Sequence, residues 1–448
     1  MPVTRPETKF YESEIGSVGY QVFGEGDRDI LFVTHWLSNI DMFWDEPTAV
    51  RYLDRLAEWG RVIMIDKLGS GVSDIAEGEW PVAPVDAHLD YMCGILDEVG
   101  SQSATLVGDT EGGMLAMLLA ATYPDRFTSL VLINSYSRLS RAEDYPIGAP
   151  PASVERMREA WVEQHGTTGL LLHFTAPSTI GDQRLLEWFA RFQRGAQKPQ
   201  VAKKAIQWIA NTDVRPALSS IQVPTLVVHR RDALFHRLAH GEYLVEHIEG
   251  ARLVALPGAD TLPFHAGDFD EVLDPIEEFL GSATDVRAST RQLATVLFTD
   301  IVGSTAMASE MGDRRWLDLV AEHDKVTRLN VERFRGELVK TTGDGALAVF
   351  DGPYRAVQAA QAIRQDTERL GITVRAGVHT GEIERRSDDV GGLAIHLAAR
   401  VMDHAETGGV IATSTVRDLV VGSGLEFESC GDVDLKGIPG SWPLFEVR

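Results

Sequence analysis

Short apolar runs recur from Tyr20 to about Phe279: Ile30–Thr34, Val62–Asp66, Ala104–Gly108, Ser129–Asn134, Pro224–His229 and Leu253–Leu256. Longer stretches with helical spacing separate them. The alternation predicts βαβ units, hence a doubly wound, mostly parallel sheet covered by helices. Between Asn134 and Pro224 it stops. There the chain reads as helical segments carrying Trp161, Trp188, Phe189, Phe192 and Trp208, which predicts a helical insertion, about 137–220, over one edge of the sheet. Such aromatic residues more often build a core than a ligand box. The small, polar run Gly281 to Thr290 reads as a linker, and a second strand and helix pattern opens at Leu293. The expected organisation is therefore 1–280, a linker at 281–291, and 292–448.

A length of 448 residues agrees with two or more domains. Lys and Arg number 42 against 66 Asp and Glu, a net charge of −24. That sign works against non-specific nucleic-acid binding, which needs cations to displace counterions from phosphates. Any polyphosphate ligand must be held by local cations or metal. Cys93 and Cys430 lie far apart and form no CxxC, so neither a cysteine-based zinc site nor a disulfide scaffold is expected. The densest apolar stretch, Met114 to Ala121, falls far short of the ~20 residues that span a bilayer. The expectation is a soluble, unexported chain in a reducing cytoplasm, with no transmembrane segment and no nucleic-acid partner.

The chemistry of the C-terminal part begins at Leu293 to Phe298, an apolar strand that ends in Thr299-Asp300-Ile301-Val302-Gly303-Ser304-Thr305 before a helical run to about Arg335. A strand, a small-residue turn and a helix N-terminus together present main-chain N–H groups and a carboxylate, which suits a metal-bound polyphosphate. A second acidic turn, Lys340-Thr341-Thr342-Gly343-Asp344-Gly345, lies between apolar segments and predicts a hairpin tip with Asp344 exposed. Two aspartates on neighbouring strand ends can bridge a pair of divalent cations.

These motifs, with Gly392-Leu-Ala-Ile-His-Leu-Ala-Ala-Arg400, resemble the class III nucleotidyl cyclase domain over about 292–448. The resemblance implies an α+β, ferredoxin-like or palm-type fold. It implies conversion of ATP to 3′,5′-cyclic AMP and pyrophosphate with two Mg²⁺ or Mn²⁺ ions held by Asp300, Asp344 and the Ile301 carbonyl. In this family a Lys four residues before the second metal Asp and an Asp seven residues before the ribose-orienting position select the base. Lys340 and Asp389 fill those slots. A Lys donor and an Asp acceptor match the adenine N1 and N6 edge, so ATP is expected over GTP. Arg400 matches the arginine that stabilises the transferring phosphoryl group, and Lys436 stands where the family puts a triphosphate lysine. His396 departs from the usual Asn; its imidazole can donate to a ribose oxygen, or it can be a core histidine. The resemblance further implies a head-to-tail homodimer, in which the metal aspartates of one chain face Lys340, Asp389, His396 and Arg400 of the other.

In the N-terminal part, Gly108-Asp109-Thr110-Glu111-Gly112 follows a strand and opens a helix, the setting of the nucleophile elbow G-x-S-x-G. With the Asp66–Asp74 turn and Pro257-Gly258-Ala259-Asp260, residues from about Val18 to Leu280 resemble an α/β-hydrolase. An acyl-transfer triad needs a nucleophile, a base and an orienting acid. Thr110 replaces the serine, Thr261 stands in the histidine slot, His265 lies four residues further on, and Asp232, or the alignment slot at Ala233, supplies the acid. His35-Trp36 replaces the usual His-Gly oxyanion turn. The reading is a degenerate hydrolase that regulates, dimerises or senses, with Trp36, Phe43, Trp44 and the insertion lining a cavity for an apolar small molecule or simply packing a core. The alternatives are an inactive nucleotide-binding protein and a bifunctional esterase and cyclase.

Overall fold

The computed structural model describes residues 3–74, 84–167, 172–265, 269–282, 291–341, 343–386, 389–405 and 408–448. They form two compact units, with 291–448 making up nearly all of the second. In the first unit lie β1 (Lys9–Ser13), β2 (Gly16–Phe23), β3 (Asp29–Val33), β4 (Arg61–Ile65), β5 (Ala104–Asp109), β6 (Phe127–Ile133), β7 (Thr225–Arg230) and β8 (Arg252–Leu256). They build one sheet in the order β1-β2-β4-β3-β5-β6-β7-β8. Six of these strands are the expected apolar runs, paired in parallel from β4 to β8. The antiparallel β1 and β2 extend one edge. β1 is mostly solvated, which is why its sequence carries no apolar run.

β5 and β7 are buried along their whole length, as befits a sheet covered on both faces. Chain order reverses between β3 and β5, and such a switch point opens a crevice at the strand carboxyl ends. The helix Gly112–Thr122 leaves that crevice with every residue buried. Its fit against β3 and β5 requires glycine: a Cβ on Gly112 would stand 2.2 Å from the Val33 carbonyl oxygen, and one on Gly108 would stand 2.6 Å from Gly113 Cα.

The expected insertion is helical. Its described parts include the helices Pro151–Gln164, Gln183–Ala196 and Pro199–Asn211. Asp182 caps the second of these by accepting from Leu185 N–H at 3.0 Å. Leu185, Trp188, Phe189, Phe192 and Ala196 recur at helical spacing and are buried in the unit's main core. These aromatic residues are core, as their spacing suggested. Phe43 also sits in that core, 5.2 Å from Phe192, whereas Trp44 meets Phe23 edge-on and donates to Gln21 Oε1.

The second unit holds β9 (Arg291–Ile301), β10 (Glu337–Thr341), β11 (Gly345–Phe350), β12 (Val374–Arg386), β13 (Asp389–Gly391), β14 (Val410–Thr413), β15 (Phe427–Asp434) and β16 (Ser441–Val447). The order is β10-β11-β9-β12-β14-β16-β15, with β13 on β12. Only β12 and β14 run parallel among these pairs, so the unit is α+β. The helical run expected to about Arg335 divides into Ser304–Met311 and Asp313–Arg333 at Gly312, whose φ of +78° suits glycine. Of the expected linker, 283–290 lies outside the described residues; Gly281 and Ser282 end the helix Asp270–Ser282, and Arg291 opens β9. Among the described residues no helix is long and apolar enough to cross a membrane.

Candidate functional site

In the second unit, β9 and β11 pair so that Gly345 stands opposite Asp300, which brings Asp344 to the neighbouring strand end. The Ile301 N–H donates to the Asp344 carbonyl at 2.8 Å and locks the two acidic turns together. Asp344 Oδ2 also accepts from Ser304 Oγ at 2.5 Å. This corrects the sequence expectation: Asp344 is at a hairpin tip but half-buried, because the Ser304 helix start closes over it. On the other side Arg375 faces Asp300 across the β9–β12 ladder, and its Nη2 and Nε donate to Asp300 Oδ2 at 2.7 and 3.0 Å.

Two carboxylates on adjacent strand ends, followed by the Ile301 main chain, form an all-oxygen donor set of the kind Mg²⁺ or Mn²⁺ takes when substrate phosphates complete the shell. Among the described residues no cluster of three or more His, Cys, Asp or Glu could hold a metal by itself. The donor set therefore fits an ion bound together with a nucleotide and not a free-standing cage.

Lys340 Nζ lies 3.0 Å from Asp389 Oδ1, so the two residues expected to read the base meet within one chain. Both are well exposed. β13 positions Asp389 by pairing with β12, and Asp389 also accepts from the Val390 N–H. His396 and Arg400, one helical turn apart on Leu393–Asp403, are both exposed. His396 is thus not a core histidine. Arg400 contacts Asp403 at 3.0 Å, and Lys436 is exposed beyond β15.

Sequence reasoning passed over Ser304 and Arg375. Ser304 stood in the quoted turn without a role, and Arg375 sits in an apolar run, Val374 to Val378, where its partner is visible only once β12 pairs with β9.

In the first unit the carboxyl ends of β3 and β5 bring His35, Trp36, Thr110 and Glu111 to one cavity. Thr110 keeps the elbow conformation, φ +48°, a costly one for a β-branched residue. Its hydroxyl donates to Glu111 Oε2 at 2.8 Å. Glu111 Oε1 stands 3.8 Å from His236 Nε2, too long for a hydrogen bond. Burial alone would raise the Glu111 pKa, but the His236 imidazole, the Thr110 hydroxyl and its own N–H outweigh it and hold it down at about 2. That N–H is the one a hydrolase of this fold offers to a developing oxyanion. Here the chain's own carboxylate takes it.

No triad assembles. Asp232 is exposed and accepts from the Gly258 N–H at 3.0 Å. Thr261 is buried and donates to the Thr175 carbonyl. His265 is enclosed by Phe264, Trp188 and Phe189, with neither ring nitrogen hydrogen-bonded. Burial, with a small contribution from His35, holds its pKa well below 6.5. Trp36 turns its ring onto Trp208, centroids 5.0 Å apart, and lines the cavity. Phe43 and Trp44 do not line it. Glu111 and His236 were missed as a pair because 125 positions of chain separate them and neither matches a hydrolase slot.

Residues 30–268 match the alpha/beta hydrolase fold family, and residues 286–445 match the adenylate and guanylate cyclase catalytic domain. A pimeloyl-[acyl-carrier protein] methyl ester esterase of Neisseria meningitidis is 30% identical over 251 residues, 54% of this chain and 90% of the esterase. A 3-oxoadipate enol-lactonase of Acinetobacter baylyi is 24% identical over 240 residues, 54% of this chain and 85% of the lactonase. Among solved structures, the enol-lactonase of Burkholderia xenovorans is similar at a TM-score of 0.50 and 22% identity, covering 61% of this chain and all of that one. The adenylyl cyclase CyaB of P. aeruginosa is similar at 0.34 and 19%, covering 36% and 96%.

Proposed function

We propose, from the premise that the chain belongs to the α/β-hydrolase fold family through residues 30–268 and carries an adenylate and guanylate cyclase catalytic domain at 286–445, that it is an ATP cyclase governed by a non-hydrolytic hydrolase-fold domain. The observation that carries the cyclase reading is the pairing of Asp300 with Gly345, which sets two carboxylates on neighbouring strand ends. Asp300, Asp344 and the Ile301 carbonyl would hold two Mg²⁺ or Mn²⁺ ions. Those ions would supply charge neutralisation at the α-phosphate and a more acidic ribose 3′-hydroxyl. The chain's own groups do the rest. Lys340 donates to adenine N1 and Asp389 accepts from N6; His396 donates to a ribose oxygen; Arg400 stabilises charge as the 3′-oxygen attacks the α-phosphorus and pyrophosphate leaves. Lys436 adds a cation for the triphosphate. Arg375, which now holds Asp300, would be the guanidinium available to the phosphates were cations to neutralise that carboxylate.

The exposed His396 and Arg400 face and the exposed Leu393, Leu317 and Leu329 support assembly as a homodimer with shared sites. The test is cyclic nucleotide formation from ATP and from GTP with Mn²⁺, beside Asp300→Ala. Cyclic AMP from the parent and none from the variant is the expected result; no product from either nucleotide overturns the reading.

A bifunctional esterase is the second reading, favoured by the elbow φ of Thr110 and the esterase named among the relatives. Against it stand the Thr110 hydroxyl committed to Glu111, an oxyanion donor already filled, and no imidazole bonded to the Thr110 hydroxyl among the described residues. Hydrolysis of short acyl esters that disappears in Thr110→Ala would restore it.

A further inference from the structure

The N-terminal unit contains a cavity in two chambers. The outer chamber, about 550 Å³, is walled by Met157, Ala160, Trp161, Phe174, Leu234 and Phe235. That size is in the range that encloses a drug-sized ligand. The inner chamber, about 50 Å³, reaches Thr110 and Glu111, and the two share Met157, Trp161 and Phe235. Phe174 and Leu234 are 37% and 62% exposed, large apolar side chains left in water. Polar atoms at the inner end are unsatisfied: both ring nitrogens of His35, Trp36 Nε1 and His236 Nδ1 have no hydrogen-bond partner, on residues no more than 6% exposed. An unsatisfied buried polar atom is costly unless a hydrogen-bonding group, water included, lies beside it.

Charge is distributed unequally between the chambers. Among the described residues the ionisable side chains of the outer chamber are Arg156 and Arg237, with no carboxylate. The inner chamber carries the Glu111 carboxylate, which stays ionised because its neighbours hold its pKa at about 2 despite burial. His35 beside it is neutral, since burial lowers its pKa to about 3. An anionic group pushed inward would meet a like charge in a low-dielectric site, whereas at the outer end it meets two guanidinium groups.

We propose that this cavity binds an amphiphile with an aliphatic body and an anionic carboxylate head, the body filling the apolar chamber and the head held outside by Arg156 and Arg237. The inference rests on the reading of this domain as a binding module and names its ligand class. The polarity also explains why ester chemistry does not follow, because a ligand seated this way keeps its carboxyl carbon away from Thr110.

The experiment uses the full chain and titration calorimetry with dodecanoate, dodecanol and dodecyltrimethylammonium, each below its micelle-forming concentration. Dodecanoate should bind most tightly. Arg156→Glu, an exposed position that does not threaten folding, should weaken dodecanoate by about tenfold or more and dodecanol by no more than about twofold. Met157→Trp, which fills the passage, should abolish binding of all three. Tighter binding of the cationic chain, no binding of any chain, or a gain of tenfold for dodecanoate in Glu111→Gln, which would mean the head points inward, each overturn the proposal. Release of dodecanol from dodecyl acetate incubated with the same protein would instead sink the non-hydrolytic reading, so the two failures are separable.

Discussion

Arg375 grips a single oxygen of Asp300, Oδ2, through both Nη2 and Nε, from the position directly opposite on the neighbouring strand. The guanidinium therefore covers the acidic residue proposed to hold cations. A half-buried carboxylate without that counter-charge would be costly, and a guanidinium released by an arriving cation is well shaped to take a phosphate. Arg375→Ala should lower turnover of Mn²⁺–ATP by about 100-fold, the usual size of a lost charge-stabilising donor. Raising Mn²⁺ should not restore the rate. Recovery at high Mn²⁺ would reduce Arg375 to a counter-ion for Asp300, and cyclic AMP formation across a Mn²⁺ series measures the difference.

Lys340 and Asp389 already touch, at 3.0 Å, but with side chains 48% and 60% exposed their mutual attraction contributes no more than about 1 kcal/mol to folding. In the proposed function their value lies in reading the base. Lys340→Ala should leave the thermal midpoint within about 2 °C of the parent. It should lower kcat/KM for ATP about tenfold or more while changing GTP turnover far less, if the removed donor is the partner of adenine N1 in the proposed function. An equal loss for both nucleotides would assign Lys340 to the phosphates.

Both folds were legible because their signals are local. Buried strands such as β5 and β7 carry unbroken apolar runs, and the insertion announced itself through aromatic residues at helical spacing. Single positions in motifs, such as Asp300 and Asp344, could be named from order and spacing. What remained hidden was always a meeting across the chain. Arg375 reaches Asp300 only through strand pairing, and Glu111 reaches His236 only because the β5 and β7 ends converge on one crevice. Asp344 was expected in solvent because nothing in a hairpin pattern foretells that the next helix, starting at Ser304, folds over its tip. For Phe43 and Trp44 cavity and core were both open, because aromatic composition does not specify direction; the larger apolar demand of the core took Phe43, and Gln21 took the Trp44 N–H.

Shared sites make a genetic prediction. If Asp300 and Arg400 of one chain serve different sites in a two-fold dimer, each single variant loses both sites, but a mixed dimer of Asp300→Ala and Arg400→Ala chains keeps one. Random assortment puts half the dimers in the mixed form, so co-refolded chains should recover about a quarter of the parent rate. Separately assembled homodimers should have almost none. Failure to complement would mean that each chain contains a whole site.

Acid should unfold the N-terminal unit early, and the reason is four buried imidazoles, among them His265, whose pKa burial holds well below the ordinary value. Burial lowers the pKa of His35 to about 3, of His240 to about 3 and of His229 to about 4, from 6.5. His229 is further fixed by donating from Nε2 to the His236 carbonyl at 2.7 Å, and His240 Nδ1 shares a hydrogen bond with the Tyr145 hydroxyl at 2.8 Å. Each is neutral when folded and takes a proton near pH 6.5 when unfolded. Their contribution is therefore complete above that pH and is lost as pH falls toward the folded values. Asp66 works in the opposite direction. Burial raises its pKa to about 6 despite hydrogen bonds from the Val72 and Ile40 N–H groups, so the folded state gains a proton as pH falls below 6 and recovers part of the loss. Between pH 7 and 5.5 the four histidines together remove about 5 kcal/mol and Asp66 returns about 1, a net loss of about 4 kcal/mol. Denaturant titrations followed by tryptophan fluorescence, which Trp36, Trp188 and Trp208 report from the core of this unit, should show that loss. His35→Asn should remove about a quarter of the histidine contribution to the slope. A flat profile from pH 7 to 5.5 would mean that these imidazoles accept protons without leaving the folded state, and so that water reaches them.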